Sequence, residues 1–353
     1  LLSHIVREET VIRTLSDRRP VGSTDLLLPP FGFGAAHFGG MYHRVPGDVA
    51  RATMQSAWDG GIRFFDTAPY YGLGLSEHRV GDFLLDQPRD DFIVTTKVGR
   101  VLHRPADPRG FDRGPWGGGL NFAIEFDYSY DGVMRSYQQS LQRLGLDTVD
   151  ALLIHDPDAS AHGDLHAARM RDMAESGITA LRELKCRGDI KAIGMGLNVA
   201  GSLDTIAPLV DLDFCIVAMP YTLLDQSALR TGLRRCVERN IGVVIGAPYA
   251  SGILATGPGP TARYRYGIAP DDIQQKVRRI QAVCAAHGTS LQAAALQFPL
   301  AHPAVVSVIP GGAAPSEVEH NIRFAQEEIP GSLWRDLKTR GLIDPDAPTA
   351  AGR

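Results

Sequence analysis

Residue types with complementary proton chemistry fall at the ends of three apolar runs. FFDTA ends near Asp66, IVTTK ends on Lys97 and ALLIHD ends near His155, while Tyr71 follows Asp66 by five residues in DTAPYYG. Buried parallel strands read as near-continuous apolar runs, and a buried charge is costly unless paired. One active site at one end of a parallel barrel gives all three a common reason. There a carboxylate fixes an ammonium in place, and the ammonium lowers the pKa of a phenol whose ordinary value is about 10. A neutral imidazole can hold a substrate oxygen. Such a set suits proton transfer to or from a carbonyl or alcohol oxygen, with Tyr71 as general acid/base. Singly, each residue has a plainer explanation: Asp66 as a turn or cap residue, Lys97 as a snorkelling strand end, His155 as a satisfied core histidine, Tyr71 beside Tyr70 as packing. Their recurrence at successive strand ends carries the functional reading.

The elements that must position them are legible as alternation. β-rich runs occur at 31–36, 64–68, 93–97, 151–156, 192–197, 214–219, 242–247 and 305–311. Helical periodicity fills the gaps: Ala50, Met54, Ala57 and Trp58 share a face, as do Met134, Tyr137, Leu141 and Leu144. Leu229, Leu233, Cys236 and Val237 repeat in the same way, followed by Ile273, Val277, Ile280 and Cys284. Gly145 and Gly288 stand where helices would stop. Eight strands alternating with helices, without a break in composition, predict a single-domain α/β protein, a closed (β/α)8 TIM barrel. An open doubly wound sheet is the alternative, and it would need a switch point that the chain does not suggest. Residues 1–28 are expected to cap the barrel bottom, 29–330 to form the barrel and 331–353 to be a C-terminal tail. Residues 100–130 read as a long Gly- and Pro-rich excursion on the catalytic face, with Trp116 and Phe122 either covering a substrate or solvated.

Composition narrows the function. The 353 residues are 44% apolar with a net charge of −4. No basic stripe points to nucleic acid and no polybasic cluster to a membrane surface. No apolar run approaches the roughly 18 residues of a membrane span. The opening LLSHIVREET does not read as a secretory signal, so a cytoplasmic protein is expected, as a monomer or weak homo-oligomer. Cys186, Cys215, Cys236 and Cys284 are widely spaced without a C-x-x-C pair and read as reduced, mostly buried hydrophobes. His162 and His166, four apart in HDPDASAHGDLHAA, have the spacing of metal ligands on a helix. A metal-dependent barrel hydrolase is therefore an alternative, but it leaves Tyr71 and Lys97 unexplained, and no metal is expected.

Five stretches together resemble the aldo-keto reductase superfamily: GIRFFDTAPYYGLGLSEHRVGDFL, VTTKVG, SLQRLGLDTVDALLIHD, GDIKAIGMGLN and VIPGGAAPSEVEHNI. The resemblance runs from about residue 24 to about residue 325. It implies a (β/α)8 barrel that binds a nicotinamide cofactor without a Rossmann domain, with Asp66, Tyr71, Lys97 and His155 as its catalytic tetrad. GFGAAHFGG, weak as a dinucleotide fingerprint, is placed by the resemblance at the first barrel strand, with Gly34 under the cofactor. Asn198 matches the carboxamide-binding position, one residue later than in many relatives. Pro248, Ser251, Gly252 and Leu254 match the loop that wraps the pyrophosphate. Ile309, Pro310, Gly311, Glu317 and Asn321 match the adenosine end. Many relatives stack an aromatic on the nicotinamide from the end of strand seven; Gly246 stands there, and Tyr249 is the candidate to compensate. Tyr70, Trp116 and His155 are the substrate-binding candidates.

NADP-preferring relatives carry basic residues where this chain has Gly311 and Glu317. A carboxylate facing a 2′-phosphate would cost of order 1–4 kcal/mol, whereas it can accept hydrogen bonds from ribose hydroxyls. NAD is therefore expected over NADP, unless Glu317 is merely a first-turn helix residue favoured by the helix dipole. IGAPYASGILATG and MPYTLLDQ resemble the sugar-dehydrogenase branch of the superfamily. That implies oxidation of the anomeric hydroxyl of an aldose of L-fucose, L-galactose or D-arabinose type. Pyridoxal 4-dehydrogenases and general aldehyde or ketone reductases are the neighbouring alternatives, and a non-enzymatic cofactor-binding regulator is another.

Overall fold

The computed structural model describes residues 17–41, 43–199, 201–203, 210–218 and 220–350. Eight parallel strands follow one another around a ring: β1 (Phe33–Gly34), β2 (Phe64–Asp66), β3 (Ile93–Val98), β4 (Ala151–His155), β5 (Ala192–Leu197), β6 (Phe214–Ala218), β7 (Gly242–Gly246) and β8 (Val305–Ile309). β8 returns to the start of the sheet through a parallel bridge between Phe31 and Val308 and a hydrogen bond from Gly34 N to Pro310 O at 3.1 Å. The outer layer includes α1 (Gly47–Asp59), α2 (Leu75–Leu84), α3 (Tyr130–Leu144), α4 (Ile178–Cys186), α5 (Gly232–Glu238), α6 (Asp271–Ala286), α7 (Leu291–Gln297), α8 (Pro315–Gln326) and α9 (Gly331–Thr339). The architecture is the (β/α)8 barrel that the alternation predicts.

Strand period two explains how the interior is graded. Side chains alternate between the two faces of a strand, so Phe64 and Asp66 share a face, as do Ile93, Thr95 and Lys97, and Ala151, Leu153 and His155. At the N-terminal ends Phe64, Ile93, Ala151, Ala192, Phe214 and Val244 form one apolar cluster. At the C-terminal ends the same faces present Asp66, Lys97 and His155. The lower end is plugged by an antiparallel hairpin, Arg19–Pro20 with Leu27–Leu28, whose Val21, Leu26 and Leu28 join that cluster. Arg19 Nη1 donates to Val305 O at 2.6 Å, which fixes the hairpin against the foot of β8. Residues 1–16 of the expected cap lie outside the described residues.

The structure departs from the sequence reading in four places. The first run is extended only at Phe33–Gly34; Ala35–Gly39 coil into a 3-10 turn that brings Gly39 against Gly72. A Cβ on Gly72, itself at φ 67°, would come within 2.5 Å of the Gly39 Cα, so the two backbones meet because neither carries a side chain. The 100–130 excursion is ordered by an antiparallel ribbon, Arg100–His103 with Ala123–Phe126. Residues 331–339 are a helix rather than a tail, burying Leu333, Trp334 and Leu337. Helix α5 starts only at Gly232, leaving Leu229 before it, and Val237 is exposed on its outer side. All four cysteines are free thiols, with Cys186 at the surface and the others buried.

Candidate active site

The upper ends of β2, β3 and β4 bring Asp66, Lys97 and His155 together. Lys97 Nζ donates to Asp66 Oδ2 at 2.7 Å and to the Thr67 carbonyl at 2.7 Å, and Thr95 Oγ1 donates to Asp66 Oδ1 at 2.9 Å. Both ionisable side chains are 2% exposed, so each is the other's replacement for water. Burial pushes the Asp66 carboxyl up, and the Lys97 ammonium and the Thr95 hydroxyl oppose it.

Tyr71 lies over this pair, its ring centroid 4.7 Å from Lys97 Nζ, and its ring meets that of His155 edge to face at 5.8 Å. Burial pushes the Tyr71 phenol well above its ordinary value; the Asp66 and Asp156 carboxylates push it further, and Arg100 opposes them. Burial thus outweighs the acidity expected of a phenol beside Lys97. The Lys97 ammonium beneath the ring is itself held 2.7 Å from the Asp66 carboxylate. His155 is held neutral, far below its ordinary pKa, by burial and then by Arg100 and Lys97. Its Nδ1 is buried without a hydrogen-bond partner, and Tyr128 Oη donates to its backbone carbonyl at 2.6 Å.

Trp116 is buried against Tyr70 at 5.2 Å and Tyr71 at 5.8 Å between ring centroids. Phe122 is 41% exposed and does not join them, so of the two loop aromatics only Trp116 reaches the site. Two residues that the sequence reading passed over complete the wall. Gly99, at φ 98°, turns the chain past Tyr128 and sets Arg100 beside the site. Arg100 is 4% exposed, and its Nη2 donates to Asp156 Oδ2 at 2.7 Å. Asp156 is itself strained at φ 45° and accepts from Asn198 Nδ2 at 2.8 Å through its other oxygen. A charged residue three positions after Lys97 was the available signal.

The cofactor candidates divide by how their polar groups are engaged. The Asn198 amide is tied to Asp156. Asn321 accepts from Tyr249 Oη at 2.7 Å and donates to Gly311 O at 3.1 Å. Tyr249 is thereby drawn toward α8. Glu317 accepts from Ala313 N at 2.8 Å through Oε2. After β7, Ala247, Ala250 and Ser251 all have positive φ (51°, 50° and 65°), a run of strain that belongs to a functional turn. The amides of Gly252 and Leu254 both donate to Tyr249 O, and the Leu254 side chain is fully buried. Pro248, Ile309 and Pro310 are buried, while Gly34 and Gly311 pack against Ile309 O and His37. Helix α8 starts at Pro315 with no side-chain cap; Pro315 has no N–H and the Glu317 and Val318 amides turn back to Ala314 O, so of the first turn the Ser316 amide is the one that could face an anion. An uncapped helix end, a strained loop and an unpartnered imidazole nitrogen fit a nicotinamide dinucleotide lying across the barrel mouth.

His162 and His166 are not on one continuous helix, because Gly163 breaks the chain at φ 51°. Their Nε2 atoms lie 2.9 Å from Asp156 O and 3.0 Å from Pro157 O, and Arg169 donates to His162 Nδ1.

The model of the Aldo/keto reductase family matches residues 30–339. A D-threo-aldose 1-dehydrogenase of a Pseudomonas species is 40% identical over 327 residues, covering 90% of this chain and 95% of its own. A pyridoxal 4-dehydrogenase of Microbacterium luteolum is 37% identical over 337 residues, covering 93% and 98%. The solved structure of an aldo-keto reductase from Bacillus halodurans superposes with a TM-score of 0.71 at 23% identity, covering 96% of this chain and 98% of that one, which speaks to the fold. With these matches spanning almost all of its length, the chain belongs to the aldo/keto reductase family.

Proposed function

We propose that this oxidoreductase uses NAD to oxidise the anomeric hydroxyl of an aldose of L-fucose, L-galactose or D-arabinose type to the lactone. The observation that carries the chemistry is the buried Lys97–Asp66 pair beneath the Tyr71 ring, beside a neutral His155, on three adjacent strand ends. The substrate class is supported by the relative named D-threo-aldose 1-dehydrogenase. A bound nicotinamide would supply the acceptor for the hydride on C1. Tyr71 removes the C1 hydroxyl proton as that C–H bond breaks. Asp66 and Thr67 hold Lys97 over the phenol ring, where it favours the negative charge that the tyrosine must carry. His155, neutral, hydrogen-bonds the substrate oxygen, and Tyr128 fixes its backbone. Tyr70 and Trp116 form the apolar wall against the sugar. In the reverse direction Tyr71, a phenol in this structure, donates its proton to a carbonyl oxygen.

Asn198 and the strained 247–252 loop would hold the carboxamide and pyrophosphate, and Gly311, Glu317 and Asn321 the adenosine. Glu317 Oε1 has no hydrogen-bond partner among the described residues and can accept from a ribose hydroxyl, which supports NAD over NADP. The second reading, oxidation of pyridoxal at its aldehyde carbon in the hemiacetal form, is favoured by the relative of that name.

The test follows NADH formation with L-fucose, L-galactose, D-arabinose and pyridoxal, each with NAD and NADP. Turnover of an aldose, with kcat/KM for NAD at least about tenfold that for NADP, is the expected result. Turnover of pyridoxal alone would replace the first reading by the second. Strong NADP preference would overturn the argument from Glu317, and no turnover with any of the four would overturn both readings.

A further inference from the structure

Arg100 is engaged on all sides but one. Its guanidinium carbon lies 4.4 Å from the centroid of the Tyr70 ring and 4.8 Å from that of Phe126, so both aromatic rings pack on it. Nη2 is held by Asp156 at 2.7 Å. The remaining donors, Nε and Nη1, are buried and have no hydrogen-bond partner among the described residues. Leaving charged donors unpaired in a dry place is expensive, and nothing in the fold requires it, since Asp156 already fixes the head group. The guanidinium is one residue removed from the reacting groups, through Asp156 and through Tyr70. Asp156 Oδ2, which Arg100 grips, is 3.6 Å from His155 Nε2, and Tyr70 packs edge-on against the His155 ring at 6.1 Å. A substrate oxygen held by His155 would therefore lie within a few atoms of this head group.

We propose that Arg100 is a specificity-determining residue: its free edge donates to an oxygen on the carbon adjacent to the reacting carbon, or one further along. The substrate class is thus narrowed to aldehydes oxygenated on the α- or β-carbon and their hemiacetals, whether the oxygen is an alcohol or a phenol. This deepens the functional reading above and rests on it. A planar fork fixed by a carboxylate and two rings is well suited to such reading, because its orientation is settled before the substrate arrives.

The experiment compares paired substrates that differ in that oxygen. D-Arabinose is set against 2-deoxy-D-ribose, the same pentose without its C2 oxygen, in oxidation with NAD. 3-Hydroxypyridine-4-carbaldehyde is set against pyridine-4-carbaldehyde in reduction with NADH. The unsubstituted enzyme should prefer the oxygenated member in kcat/KM by about ten- to a hundredfold, the scale of a hydrogen bond to a charged donor. Arg100→Met should bring the ratio to within about threefold of unity by losing rate on the oxygenated member alone. A merely structural arginine would slow both members together and leave the ratio unchanged, which would overturn the proposal. So would equal rates on both members in the unsubstituted enzyme, a result that needs no variant. Should Arg100→Met fail to fold, Arg100→Lys takes its place: it keeps the charge against Asp156 but lacks the fork, and an undiminished ratio again overturns the assignment. No turnover of either pair would instead defeat the functional reading itself and this inference with it.

Discussion

The Tyr71 hydroxyl must be a base for oxidation and an acid for reduction, and its surroundings decide which comes easily. Burial and two carboxylates favour the protonated form. Oxidation, which needs the phenolate, should therefore quicken as pH rises toward and past the ordinary phenol range, while reduction should hold through neutrality and fall only in that alkaline range. Profiles of kcat against pH in both directions test this. Tyr71→Phe should lower kcat by at least about 10²-fold with an unchanged circular dichroism spectrum, and near-normal turnover would contradict the role. Asp66, Tyr71, Lys97 and His155 were legible because ionisable residues at the ends of apolar runs have few innocent explanations. Arg100 was not, because its partner Asp156 and its covering rings Tyr70 and Phe126 come from three other places in the chain. The direction of the Tyr71 shift was also illegible, since it depends first on how deeply the fold buries the phenol and then on the Asp66 and Asp156 carboxylates around it.

Elements here are tied together by buried charges as much as by apolar faces. Glu77 on α2 is fully buried and accepts from Thr96 Oγ1 of β3 and Arg143 Nε of α3, each at 2.6 Å. Arg143→Met would strand that carboxylate and should cost about 3–5 kcal/mol, read from the denaturant midpoint at neutral pH. A second device lies on the approach to β8. His302 is buried beside Tyr221, its Nδ1 accepts from Ala304 N at 3.2 Å, and burial lowers its pKa from 6.5 to about 4. The unfolded chain binds more protons between those two values, so stability is complete above about pH 6.5 and drains away as pH falls toward 4. The loss is on the order of 3 kcal/mol, and His302→Gln should flatten the slope of stability against pH in that window. Strands β2 to β8 were readable from their apolar runs, yet β1 shrank to two residues and the 100–130 excursion proved to be ordered. Both outcomes are set by distant pairing: Gly39 against Gly72 in the first case, and 100–103 against 123–126 in the second. Local pattern does not carry such contacts.

At the scale of the molecule, stability and chemistry occupy opposite ends of one ring. The lower end is sealed by Val21, Leu26 and Leu28 on the apolar feet of the strands; the upper end carries the ionisable groups. Leu28→Ala should therefore cost about 2–5 kcal/mol of global stability, while kcat and KM measured well below the melting temperature stay as they were. A shift in KM would show that the two ends are coupled. The thiols offer a way to watch the ring open. Cys186 alone stands in solvent, whereas Cys215, Cys236 and Cys284 are buried; the contact with the Cys236 thiol and then burial hold the Cys215 thiol far from ionisation, and burial does so for Cys284. A bulky thiol reagent should then modify one sulfur at once and the other three only as often as the wall between β6, α5 and α6 parts, so that the slow phase of labelling becomes a clock for breathing of the intact enzyme.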